Sequence, residues 1–384
     1  YQLLANRTIG YVRDASVNPV GLEGMFNKAL SGKNGKRLYQ KISGGTWVAI
    51  NSDNEIQPEN GKDVITTIDI NMQDVAESAL MNTLVKNKAN HGCVLVMDVH
   101  TGAIKAIANL GLNDDGTYTE KFNYAVGEAH EPGSTFKLAS MIALLEDGYV
   151  KVTDTVDVER GHKMYGNQMM NDAEEHNLTR ITILDAFAHS SNVGISKEVV
   201  KYYTKNPDQF LKHLEALGLG TKINLEIPGV ANPYLKNTTD KTWSNYYSLP
   251  WMSVGYELQE SPLHMLTLYN AVANNGVMVK PYLVSAIQEY GKPVQSFDTQ
   301  VLNPKICSDA TLLSVKKLLE AVVDHGTAQN LKNNEYSIAG KTGTAQIADA
   351  SHGYGKTIYQ SSFVGYFPAD NPLYSCICVV NAPR

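Results

Sequence analysis

The stretch Glu131-Pro132-Gly133-Ser134-Thr135-Phe136-Lys137 decides how the rest of the chain is read. Pro132 and Gly133 interrupt whatever precedes them. From Phe136 the sequence runs apolar through Leu138, Ala139, Met141, Ile142, Ala143, Leu144 and Leu145, until Gly148 ends it. A helix that is apolar all round is a buried one. The spacing therefore predicts a buried helix with Ser134 at its mouth and Lys137 on the same face. A serine hydroxyl is a weak nucleophile until a base takes its proton. A lysine serves as that base when burial or a second cation lowers its pKa. The free backbone N–H groups of a helix start can also hold an oxyanion.

The S-x-x-K spacing is weak by itself, because it occurs twice. Ser314 and Lys317 repeat it inside Asp309-Ala310-Thr311-Leu312-Leu313-Ser314-Val315-Lys316-Lys317-Leu318-Leu319. No helix start coincides with that serine, and Lys316-Lys317 reads as a solvated face.

Two further short patterns carry suitable chemistry. Ser190-Ser191-Asn192 closes the helix-like stretch Ile183-Leu184-Asp185-Ala186-Phe187-Ala188-His189. A serine there can relay a proton, and an asparagine amide can both donate and accept. Alone the pattern says little: Ser16 and Asn18 also fit it, and Ser/Asn clusters commonly just make turns. Lys341-Thr342-Gly343-Thr344 lies on an expected strand over 338–346. A glycine inside a strand often marks the close approach of a ligand's backbone. Side chains alternate, so Thr342 and Thr344 face one way and Lys341 the other. The lysine can share their site only through a twist of the strand or through its own length. A lysine with two threonine hydroxyls can bind a carboxylate; the plain alternative is an ordinary edge strand.

Composition sets the class. The chain has 384 residues, 43% hydrophobic and 19% charged, which allows one large or two moderate domains with a substantial core. A net charge of -6 argues against nucleic acid as a partner, which wants a basic footprint. No run reaches the roughly 18 apolar residues of a membrane span. The chain begins at Tyr1, which reads as part of a longer protein. Four cysteines are few; Cys376 and Cys378 are two apart on an expected strand and point the same way, so free buried thiols are expected. No Cys/His cluster has metal-ligand spacing, so neither metal nor cofactor is expected. His130, near the serine, reads as a structural polar group.

Residues 1–60 are rich in Asn, Gly and Lys and carry only short strand-like pieces, with a boundary near Pro58-Glu59-Asn60-Gly61-Lys62. Beyond it, Asp69 caps an amphipathic helix whose apolar face would be Val75, Ala76, Ala79, Leu80 and Leu84. A β-hairpin follows, 93–98 and 103–108 around His100-Thr101-Gly102. The middle reads as helices over 181–201, 207–217, 261–274 and 309–323. Three strands close the chain at 337–348, 362–367 and 374–381. Two early strands and three late ones suggest one five-stranded antiparallel sheet built from both ends.

In this order, S-x-x-K, S-x-N and K-T-G are the signature of penicillin-binding proteins and serine β-lactamases. The chain resembles the transpeptidase region of class B penicillin-binding proteins, most closely the septal, division type. The likeness runs from Gly21-Leu22-Glu23 to Arg384 and includes Thr67-Ile68-Asp69, Gly255-Tyr256, Ala273-Asn274-Asn275-Gly276 and Gly326-Thr327-Ala328. It implies an α/β (α+β) fold, the five-stranded sheet flanked by helices plus an all-helical subdomain. It implies that 1–60 is the tail of a non-catalytic pedestal domain. Residues 61–384 would then be the transpeptidase domain, which in the family continues past Pro383-Arg384.

The resemblance also implies a D,D-transpeptidase acting on peptidoglycan stem peptides. Ser134 would be the nucleophile and Lys137 its base, kept partly neutral by burial and by Lys341. Ser190 would pass a proton to the leaving amine, and Asn192 would hold the substrate amide. Thr342, Gly343 and Thr344 would bind substrate with Lys341, and the backbone N–H groups of Ser134 and Thr344 would form the oxyanion hole. β-Lactams would acylate Ser134. The full protein would be anchored in the bacterial cytoplasmic membrane, its catalytic domain outside, beside a membrane glycosyltransferase and division proteins. A D,D-carboxypeptidase, a β-lactamase or β-lactam sensor, and a non-catalytic scaffold compete with this reading. A β-lactamase needs a base for deacylation, and Glu174-Glu175-His176-Asn177 is an acidic candidate, but it precedes S-x-N.

Overall fold

The structure is a computed structural model that describes residues 4–12, 19–50, 55–173, 177–347 and 358–383. Ser16, Asn18, Glu174, Glu175 and His176 lie outside the described residues. The central sheet is built from β1 (His91–Asp98), β2 (Ile104–Leu112), β3 (Tyr118–Thr119), β4 (Ala339–Gln346), β5 (Tyr359–Phe367) and β6 (Tyr374–Asn381). Its order is β4-β5-β6-β1-β2-β3, antiparallel throughout. The early and late strands thus meet at β6 and β1, as their positions in the chain suggest. The sheet has six strands rather than five. Asp115 accepts from the Thr117 amide and hydroxyl (2.9 and 2.6 Å), turning the loop back so that Tyr118 and Thr119 pair with Leu112 and Gly111.

The principal helices are α1 (Ile70–Asn87), α2 (Lys137–Glu146), α3 (Ile183–Ala188), α4 (Asn192–Tyr203), α5 (Pro262–Ala273) and α6 (Asp309–Asp324). They cover both faces of the sheet. On one face Ala76, Leu80 and Leu84 of α1 pack against Val94, Ala106, Ala108 and Val380. On the other, Leu95, Ile107 and Ile377 face α2 and α5 in the main core. Both faces are covered over the centre of the sheet, so β1 and β2 read as near-continuous apolar runs rather than alternating ones. In β2 a bulge at Lys105, between the Met97–Ile104 and Val96–Ala106 pairs, re-aims the strand and lets Ile104 and Ile107 share the main core.

Asp69 caps α1 by accepting from the Asn71 and Met72 amides (2.9 and 3.1 Å). The expected apolar face of α1 needs correcting: Val75 and Ala79 are exposed, and Gln73 is buried in their stead. The reason is a backbone need. Gln73 donates to the Ile107 carbonyl (3.1 Å) and accepts from its amide (2.7 Å), satisfying β2 on the edge away from β1, ahead of the two residues that pair with β3.

The expected helix over 181–201 is two helices, because Ser190 takes a left-handed conformation with φ of 60° between α3 and α4. α5 is buried along its whole length, and α2 from Lys137 to Leu144. The strand-like piece near Trp47 pairs with Tyr39–Lys41 as a largely exposed hairpin, whereas Leu22 joins the main core. All four cysteines are free thiols.

Candidate active site

Ser134 stands in a single 3-10 turn, Gly133–Phe136, and α2 begins only at Lys137. The serine therefore precedes the α-helix rather than opening it. Side chains at i and i+3 eclipse in a 3-10 turn, which brings the two groups closer in line than an α-turn does. The Lys137 Nζ lies 2.9 Å from Ser134 Oγ, 2.6 Å from the Ser190 carbonyl and 3.1 Å from Ser190 Oγ. One amine thus bridges two serines that are distant in sequence. The left-handed Ser190 backbone turns its carbonyl and hydroxyl to the same amine. Such strain in a non-glycine residue persists only where the surroundings over-determine it.

Gly133 has φ of 57°, and a Cβ there would stand 2.9 Å from the Ala345 Cβ and 3.1 Å from the Thr344 carbonyl. The Ser134 turn therefore rests directly on β4, the edge strand that carries Lys341 to Thr344. A Cβ on Gly343 would meet Ser362 Oγ at 2.3 Å and the Thr135 methyl at 2.9 Å. The chain's own turn and next strand already require glycine here.

Lys341 is wholly buried on the core side of β4, opposite Thr342 and Thr344. Its length resolves the geometry. Nζ folds back to donate to the Thr342 carbonyl (3.0 Å) and approaches Thr342 Oγ1 (3.4 Å). Thr342 Oγ1 is also 2.5 Å from Thr327 Oγ1. Ser134, Ser190, Asn192, Thr342 and Thr344 line one cleft of about 380 Å³, with Lys137 and Lys341 buried beneath it.

Asn192 opens α4, and its amide nitrogen donates to the Asn171 carbonyl (2.7 Å). Its oxygen remains the group that can accept from a ligand. Asp172 is a residue that sequence reasoning missed. It accepts from Ser191 Oγ (2.8 Å) and from the Val193 amide (2.9 Å), so one carboxylate fixes the start of α4. It comes from a separate hairpin, and nothing in the spacing points to it. An acid opposite a helix start was the one available signal.

Burial holds the Lys137 amine down to about 7, with the Asp172 carboxylate acting in the opposite sense. Burial also puts Lys341 well below the ordinary lysine range, and the charge of Lys137 adds to this. The two amines are close enough that a charge on either disfavours a charge on the other, which adds to the effect of burial.

The other residues singled out lie apart. Ser314 is half-buried on α6 and donates to the Ala310 carbonyl (2.9 Å), while Lys317 is exposed. His130 exchanges backbone hydrogen bonds with Glu260 (3.2 and 3.0 Å). Among the described residues no group of three His, Cys, Asp or Glu side chains could hold a metal ion.

The sequence profile of the penicillin binding protein transpeptidase domain matches residues 92–384. The chain belongs to this family. A peptidoglycan D,D-transpeptidase FtsI homolog of Mesostigma viride is 27% identical over 414 residues, covering 100% of this chain and 68% of that protein. Penicillin-binding protein PbpB of Mycobacterium tuberculosis is 28% identical, over 97% of this chain and 56% of its own length. The chain thus spans between about half and two thirds of these relatives. Among solved structures, the apo form of penicillin binding protein 3 from Mycobacterium tuberculosis superposes with a TM-score of 0.84 at 25% identity, covering 99% of this chain and 83% of that one. Its complex with ampicillin gives 0.84 at 25% identity, over 99% and 82%. The transpeptidase fold of the family accounts for the sheet and its two helical faces.

Proposed function

We propose that this chain is the transpeptidase region of a division-type peptidoglycan D,D-transpeptidase. The observation that carries the reading is the buried Lys137 amine within hydrogen-bond reach of both Ser134 and Ser190. An amine with a pKa of about 7 is substantially neutral at neutral pH and can take the serine proton. Ser134 Oγ attacks the carbonyl between two D-alanines and gives its proton to Lys137. The oxyanion of the tetrahedral intermediate sits between the backbone N–H groups of Ser134 and Thr344. The C–N bond breaks as the proton passes from Lys137 through Ser190 to the departing D-alanine amine, leaving an ester on Ser134. The amine of a second stem peptide attacks the ester, loses its proton to Lys137, and releases the serine with a new amide bond.

Asn192 binds the stem-peptide amide. Thr342, Thr344 and the Gly343 backbone hold the terminal carboxylate, and Lys341 beneath them sets the field that favours an anion there. β-Lactams open on Ser134 by the same first step, and the ester persists. Residues 1–60 are assigned to the pedestal. The whole protein is placed on the outer side of the bacterial cytoplasmic membrane, working with a membrane glycosyltransferase and division proteins. No described helix is long and apolar enough to cross a membrane, so the anchor is assigned to chain outside this sequence.

Labelling with a fluorescent penicillin, followed by intact mass over hours, tests the reading. A stable one-to-one adduct on Ser134 is expected. An adduct lost within seconds would show a β-lactamase instead, and no adduct would show a scaffold without the chemistry. Turnover of a D-Ala-D-Ala stem peptide with an acceptor amine then separates transpeptidase from carboxypeptidase.

A further inference from the structure

We propose that Tyr269, on α5, is a positioning residue that sets the Ser134 turn for acylation; this rests on the reading of Ser134 as nucleophile. Tyr269 is wholly buried and its hydroxyl donates to the Thr135 carbonyl at 2.7 Å. Thr135 immediately follows the nucleophile and is itself 2% exposed. The carbonyls of the turn are held in three ways. Thr135 Oγ1 donates to the Pro132 carbonyl (3.0 Å), and the Lys137 amide donates to that of Ser134. Those two bonds are local. The bond to Thr135 is supplied by a different element, so it ties the turn to something outside itself.

That element is fastened to the sheet. Asn270, the next residue of α5, donates to the Val99 carbonyl (3.0 Å) and accepts from Ser375 Oγ on β6 (2.7 Å). Tyr269 and Asn270 therefore join the nucleophile turn to the sheet whose edge carries Lys341 and Thr344. Acylation needs Ser134 Oγ, the Lys137 amine and the Thr344 amide in register at once, and they come from separate elements. Burial pushes the phenol well above the ordinary tyrosine range, so it remains a donor wherever the enzyme works. A phenylalanine would fill the same space without making the bond, so the hydroxyl has a purpose beyond packing.

The experiment measures penicillin acylation by the full chain, separating the pre-covalent dissociation constant from the acylation rate constant. Tyr269→Phe is expected to lower the rate constant about tenfold, since misplacing a reacting group by an ångström can cost up to about a hundredfold, and to leave the dissociation constant within about twofold. Thr267→Val provides the comparison. It removes another buried hydroxyl from α5, one that donates within the helix to the Leu263 carbonyl (2.7 Å), and it should leave the rate constant unchanged. Thermal unfolding of both variants places them on one stability scale. A Tyr269→Phe enzyme acylating at the wild-type rate overturns the proposal. So does a Thr267→Val enzyme that slows as much at the same loss of stability, since the effect would then be general loosening of α5. If the wild type forms no adduct at Ser134, the reading of the nucleophile falls first and the proposal falls with it.

Discussion

Ser134–Lys137 and Ser314–Lys317 have the same residues at the same spacing, and their surroundings make them opposites. The first lysine is wholly buried and reaches two serine hydroxyls and a carbonyl. The second is exposed on α6, and its serine is spent on the carbonyl one turn back. Burial alone separates a lysine held to about 7 from one left in water. The comparison teaches that S-x-x-K is chemistry only when the helix carrying it is buried and a second serine arrives from elsewhere.

The sharpest way to break the comparison is to exchange the fates of the serines. Ser134→Ala should abolish covalent capture of penicillin, read by gel fluorescence and intact mass, while Ser314→Ala should label like the wild type. Loss of labelling in the second variant would end the assignment. Next in size, Lys137→Ala should slow acylation by about 10²–10⁴, the usual worth of a general base, whereas Lys317→Ala should acylate within about twofold of wild type under stopped-flow.

The pH dependence comes next. The neutral amine is the active form, so acylation should rise about tenfold per pH unit below pH 7 and level off above it. A flat profile across pH 5 to 8 would remove Lys137 from the role. Asp172→Asn sharpens this further. The carboxylate raises the lysine pKa, so without it the midpoint should move to more acid pH, while the plateau falls as the start of α4 loosens. A midpoint moving alkaline would contradict the electrostatics. The smallest effect belongs to the second pair: Ser314→Ala should leave thermal stability unchanged or raise it by up to about 0.5 kcal/mol, because alanine is the better helix former.

Much of this was legible before any coordinates. Strand β6 begins and ends where periodicity placed it, and α5 and α6 differ from expectation by a residue at their ends. The alternation along β4 set Lys341 opposite Thr342 and Thr344, and the structure puts the lysine on the buried side. The failures have specific causes. Helical periodicity ran through 181–201 because the apolar residues continue in phase; the left-handed Ser190 that breaks the helix is held by Lys137, and Asp172 fixes the new start through Ser191 and Val193. Gln73 was passed over as polar, though the edge of β2 away from β1 needed its amide.

By itself the sequence determined which side chains would be candidates for the cleft, their order, and the buried helix behind Ser134. Those features are local: an apolar run, a glycine break and a period of two or 3.6 are written in neighbouring residues. Only the tertiary structure decided that one amine bridges Ser134 and Ser190, that Asp172 holds the S-x-N element, and that Lys341 is buried beneath the same cleft. Each of these depends on distances between elements far apart in the chain and on how much water is excluded around them, and neither quantity has a signature in the order of residues.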